Sequence, residues 1–177
     1  MLKMLIAVDG SELSLDAVRY ALRLREQGLA AGFVLANVQE PPSLYEVLTV
    51  HDLQRLRSLS DSAGQHSLQG ARQLCDAAGA DYEFEVALGN PAHMLVDLAE
   101  RYGCGAIVAG ARGKGGLGSA ALGPVAHELM HVSTLPVTIV KHADWLEPPR
   151  DEEAVTETED EDLTAQETEP QSLLGLA

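Results

Sequence analysis

Ala106-Ile107-Val108-Ala109-Gly110-Ala111-Arg112-Gly113, nine residues, Gly123-Pro124, a short helical stretch and Val137-Thr138-Ile139-Val140-Lys141: the reading of this segment decides the fold. An apolar run ends in a glycine, and more glycines follow at 113, 115, 116, 118 and 123. Glycine has no Cβ, so its backbone can enter positive φ and lay N–H groups against a ligand. A loop of this kind, between a strand and a helix N-terminus, favours an anion, because orphan amides and the helix dipole point the same way. Phosphate is the anion it suits.

Outward from that segment, strand and helix patterns alternate. Leu2 to Val8 reads as a buried strand. Ser11 is an N-cap with Glu12 in the first turn, and Leu13, Ala17, Ala21 and Leu24 repeat at helical spacing up to Gly28. Phe33 to Val38 is a continuous apolar run, hence a strand covered on both faces. Pro41-Pro42 opens a loop through about His51. A longer helix then carries Leu53, Leu56, Leu59 and Ala63, and resumes after Gly64 with Leu68, Ala71, Leu74 and Ala78; Gly64 and Gly70 are weak points in it. Tyr82, Phe84, Val86 and Leu88 alternate with Glu83 and Glu85, which predicts an edge strand with one buried face. Asn90-Pro91 starts a helix with proline at its first position, Leu95, Leu98, Ala99 and Tyr102 face the core, and Gly103 ends it. This β-α order demands a parallel sheet with helices on both faces. In such sheets ligands bind beyond the strand C-termini at the switch in strand order, and Asp9, Val38 and Gly110 all stand at strand C-termini.

The spacing G-x2-G-x9-G after a strand resembles the nucleotide-binding signature of the universal stress protein family, in which Ser or Thr follows the last glycine. Here Gly110, Gly113 and Gly123 keep the spacing and Pro124 takes the Ser/Thr place. Asp9, in Ile6-Ala7-Val8-Asp9-Gly10-Ser11, and Val38, in Ala36-Asn37-Val38, match two further markers of the family. The resemblance spans roughly residues 1–141. It implies a Rossmann-like five-stranded α/β domain of strand order 3-2-1-4-5, acting in stress response. It implies an adenine nucleotide, ATP or AMP, at Ala7, Val8, Asp9, Val38, Gly110, Arg112, Gly113, Lys114, Gly123, Pro124 and Val125. It also implies homodimers through the last strand, Val137–Lys141, whose short apolar edge invites pairing with a second copy.

Within that expectation, Asp9 either accepts from a ribose hydroxyl or caps the first helix with Ser11. Arg112 and Lys114 either meet phosphate charge or are ordinary surface residues. Pro124 suits the first position of a helix but supplies neither hydroxyl nor N–H, so up to two phosphate donors are lost. At roughly 1.5–3 kcal/mol per charged hydrogen bond, that loss weakens ATP by about 10- to 10⁴-fold. Ser119 is the one hydroxyl inside the loop that can stand in.

Other motifs carry less. His127-Glu128-Leu129-Met130-His131 is a literal H-E-x-x-H, but Val125, Leu129 and Val132 would be its buried face, leaving the histidines on a solvated one with no third ligand in view. Residues 113–118 spell G-x-G-x-x-G, yet after the fourth strand and with no acid in place for a ribose. The P-loop pattern and the H-x-G-H and S-G-G-x-D-[ST] motifs of nucleotidyl-transferring relatives are missing, so no means of attacking a nucleotide is visible and binding without turnover is expected. Asp81, Glu83 and Glu85 read as a solvated strand face.

The 177 residues suit one domain with a proper core. The formal charge of −15 argues against a nucleic-acid backbone or an anionic membrane as partner. That charge is concentrated: residues 142–177 hold 12 of the 27 acids and one of the 12 bases. After Pro148-Pro149 this stretch has almost nothing to bury and reads as a disordered acidic tail; its terminal Leu173-Leu174-Gly175-Leu176 is either a docking element for a protein partner or an inert end. Cys75 and Cys104 are too few for a disulfide framework. The apolar start is too short for a signal or membrane segment, which makes the expected location cytoplasmic. The leading expectation is thus a dimeric adenine-nucleotide-binding domain. The alternative is a nucleotide-free interaction module on the same fold, and a zinc peptidase is remote.

Overall fold

The computed structural model describes residues 1–41, 53–113 and 122–141, with the backbone alone for 53–57 and 59. Lys114, Gly115 to Ser119, the expected loop from Pro42 to His51, and the acidic stretch 142–177 lie outside the described residues, as do the side chains of Leu53, Leu56 and Leu59. Strands and helices alternate: β1 (Leu2–Ala7), α1 (Glu12–Glu26), β2 (Ala31–Gln39), α2 (Leu53–Ala77), β3 (Tyr82–Leu88), α3 (Pro91–Arg101), β4 (Ala106–Gly110), α4 (Pro124–Val132) and β5 (Val137–Val140). The strands form one sheet in the order β3-β2-β1-β4-β5, and every pairing is parallel. Lys141 falls just beyond the last strand rather than within it.

Strand alternation sorts the core into two layers. Met4, Ile6, Phe33, Leu35 and Val108 meet Ala17, Val18, Ala21 and Leu22 of α1 and Leu68, Ala71 and Cys75 of α2. Leu5, Val34, Ala36, Ile107 and Ala109 meet Ala92, Leu95, Leu98 and Ala99 of α3 and Leu129 of α4 on the other face. Each fully buried leucine, isoleucine or phenylalanine contributes about 1.5–3 kcal/mol by leaving water. The inward face of α1 is rotated from the expected one. Ser14, Ala17, Val18, Ala21 and Leu22 are buried, whereas Leu13 and Leu24 are only half-buried.

The second helix is unbroken, and its glycines serve contact rather than termination. A Cβ on Gly64 would collide with the side chain of Val86 and stand 3.0 Å from Asn37 Oδ1, so the helix can lie this close to β2 and β3 only with glycine there. Gly70 faces Leu15 of α1, 3.2 Å from where its Cβ would be. By contrast Gly103, at φ 64°, follows α3 in the left-handed conformation that ends helices. Asn90 Oδ1 accepts from His93 N at 3.1 Å and caps α3, with Pro91 at its first position as expected.

β3 is an edge strand, but its apolar face is only half covered: Phe84 and Leu88 remain 43% exposed, and the Arg72 guanidinium lies 4.4 Å from the Phe84 ring. Its acidic face is not simply solvated. Lys3 Nζ donates to Glu83 at 2.9 Å, and Glu85 accepts from Arg101 at 2.8 Å and from the Tyr102 hydroxyl at 2.6 Å. Those bonds push the Lys3 ammonium and the Tyr102 hydroxyl above their ordinary pKa values.

Candidate functional site

The switch point in strand order lies between β1 and β4, at the centre of the sheet, which hand over to helices on opposite faces. Past β1, the Val8 N–H donates to Ala36 O at 2.8 Å, and Val8 O accepts from Asn37 Nδ2 at 2.7 Å. Both main-chain groups of Val8 are therefore engaged within the fold, and its side chain is buried. Gly10 turns the chain at φ 80°, and Asp9 Oδ1 accepts from Ser11 N at 2.9 Å and from Ser11 Oγ at 2.6 Å. Ser11 Oγ in turn caps α1 by accepting from Ser14 N at 3.2 Å. One carboxylate oxygen of Asp9 thus braces the helix start, while the other faces the glycine loop.

The three signature glycines are glycine for closeness, not for positive φ. A Cβ on Gly110 would stand 2.7 Å from Leu13 O and 3.2 Å from Ser14 N, so α1 can start directly over the end of β4. A Cβ on Gly113 would run into Asp9 Oδ2. Gly123 has φ −67° and ψ 160°, and its Cβ would lie 3.3 Å from Arg112 Cα. The sequence reading explained these glycines by their access to positive φ; at these three positions the tight approach of chain segments is the reason instead. The loop closes on itself, with Gly123 N–H donating to Ala111 O at 2.8 Å and Ala111 N–H to Val140 O at 2.7 Å.

Pro124 is exposed at the first position of α4, and Gly123 supplies no side-chain cap. Since proline has no N–H, Val125 and Ala126 are the first amides this helix end presents. The Val125 side chain is half-buried against the core layer that holds α3. Val38, at the end of β2, pairs in register with Ala87 and is half-buried against the same layer. Ala7 lies level with Ala36 on one side and Ala109 on the other. Asp9, Gly110, Arg112, Gly113 and Gly123 are thereby brought together, with Val38 at the neighbouring strand end; Lys114 lies outside the described residues.

Asn37 is the residue the sequence reading passed over. It is fully buried, ties Val8 O to β2, and accepts from Gln39 Nε2 at 2.5 Å. The signal was available, since a lone amide inside the apolar run Phe33–Val38 needs a partner. Among the described residues no group of three or more His, Cys, Asp or Glu side chains is placed to hold a metal ion, and no helix is long and apolar enough to cross a membrane.

The model of the universal stress protein family matches residues 1–141. This chain belongs to the universal stress protein family. Among the relatives of this stress protein, universal stress protein YxiE of Bacillus subtilis (strain 168) is 33% identical over 145 residues, covering 78% of this chain and 98% of its own. Universal stress protein MJ0531 of Methanocaldococcus jannaschii is 28% identical over 139 residues, covering 78% and 81%. A universal stress protein solved in complex with cAMP superposes with a TM-score of 0.59 at 26% identity, over 78% of this chain and 96% of that one.

Proposed function

We propose that this stress protein binds an adenine nucleotide at the switch point and acts by holding it rather than by turning it over. The observation that carries this reading is the packing of Asp9 against Gly113, with Gly110 close against the start of α1 and Gly123 close against Arg112. A carboxylate suits ribose hydroxyls and a helix end suits an anion, and both follow strands at the switch point in strand order. The solved relative that carries cAMP supports the choice of ligand class. Arg112, half-buried in the loop, supplies positive charge for the phosphate. Binding by AMP should rival binding by ATP, since Pro124 withholds the donors nearest the outer phosphates. Calorimetry of the nucleotide-free chain with ATP and AMP tests this. Saturable heat with either supports the reading, and none with both favours the alternative of an interaction module without nucleotide.

The same reading includes a cytoplasmic homodimer paired through β5. That strand is a four-residue sheet edge, and a cleft of about 520 Å³ opens beside it, lined by Tyr20, Leu24, Ile139 and Lys141 among others. Edge strands with unpaired backbone groups are ready templates for a second chain. Any protein partner of the acidic C-terminal stretch belongs to this proposal too, and pull-down with and without residues 142–177 tests it.

A further inference from the structure

The solvent face of α4 carries a pair of imidazoles that the nucleotide site does not use. His127 and His131 stand one turn apart, both exposed, with ring centroids 4.7 Å apart and planes inclined at 60°. Ala126 and Leu129 are buried, which fixes the helix so that the two histidines point away from the core. A ring nitrogen about 2.0–2.1 Å from a metal puts the metal about 3.2 Å from the ring centroid, so two imidazoles bound at roughly 90–110° have centroids about 4.5–5.2 Å apart. The observed 4.7 Å lies inside that window. We propose that His127 and His131 form a bidentate surface site for a divalent late first-row transition metal ion, the class that prefers imidazole nitrogen.

The site binds without catalysing hydrolysis. In a metallopeptidase the glutamate between the histidines serves as the base beside a third-ligand metal. Here Glu128 Oε1 lies 3.5 Å from His93 Nδ1 on α3, and no third ligand joins the pair among the described residues. Water fills the remaining coordination positions, so the ion is exchangeable. Neither buried cysteine competes for it.

The test is calorimetric titration of the untagged full-length chain with NiCl2, and separately with ZnCl2, in the absence of nucleotide. One equivalent should bind. Removing a ligand should cost at least the roughly 10–100-fold typical of outer-shell partners, in both His127→Gln and His131→Gln. Both positions are exposed, so circular dichroism should show both variants folded. His66→Gln and His93→Gln should bind as the parent does. Unchanged affinity in either ligand variant, or an equal loss in His93→Gln, overturns the proposal.

Discussion

At the residue scale, Pro124 separates what the fold requires from what the ligand requires. As the first residue of α4 it satisfies the helix, and its exposure leaves room for another side chain. Pro124→Ser restores an N–H and a hydroxyl at a helix N-terminus, where an anion is already favoured. One recovered charged hydrogen bond of roughly 1.5–3 kcal/mol should tighten ATP by about 10- to 150-fold. AMP should gain much less, since it has no outer phosphates for the restored donors to meet. Calorimetry of both nucleotides against both proteins decides it, and equal gains would point to loop conformation instead of phosphate contacts. A second residue-scale outcome concerns the thiols. Burial pushes the Cys75 thiol up to about 11 and raises Cys104 as well, so neither forms the reactive thiolate near neutral pH. Iodoacetamide should label the folded chain negligibly and the unfolded chain twice, read by mass spectrometry.

At the element scale, α2 and β5 carry the tests. Alanine is the better helix former by about 1 kcal/mol, so propensity alone favours replacing both helical glycines. Gly64→Ala should nevertheless destabilise, by about 1–3 kcal/mol in urea unfolding, because the stiff Val86 side chain opposite cannot swing away. Gly70→Ala meets only the longer Leu15 side chain and should be neutral or mildly stabilising. Equal responses at the two positions would mean that contact does not distinguish them. At the sheet edge, Ile139→Lys should convert the proposed dimer to monomer in sedimentation while the domain stays folded; a persisting dimer would rule out pairing through β5. These elements also show what was legible. The apolar runs, Ser11 and Asn90-Pro91 announced strands and helix starts because those signals are local. The continuity of α2 was not legible, since Gly64 is understood only through Val86, which lies far along the chain. Nor were the partners of Glu83 and Glu85, for Lys3 is 80 residues from Glu83.

At the scale of the whole molecule, parallel topology gathers distant stretches at one end of the sheet. Strand order followed from the family resemblance, and the pairing of Asp9 with Ser11 at the helix start was one of the two roles the sequence offered for Asp9, whereas the bond from Asn37 to Val8 depended on side-chain geometry. Lys3, Tyr102, Cys75 and Cys104 share one property: folding raises the pKa of each. A raised folded value stabilises below the unfolded value and loses that contribution as pH rises through the folded one. For Cys75 the loss should run from about pH 9, near the free thiol, to about pH 11. Melting temperatures should fall across that window, and less steeply in Cys75→Ala; parallel curves would clear the thiol of responsibility.

The bond from Gly123 N–H to Ala111 O fastens together the two ends of the stretch that runs between them. Once the ends are clamped, closure entropy grows only with the logarithm of length, about 0.6 kcal/mol for each doubling. The domain is therefore a natural frame for passengers. An epitope or a small reporter spliced between Gly113 and Leu122 should ride on a scaffold that melts much as its parent does.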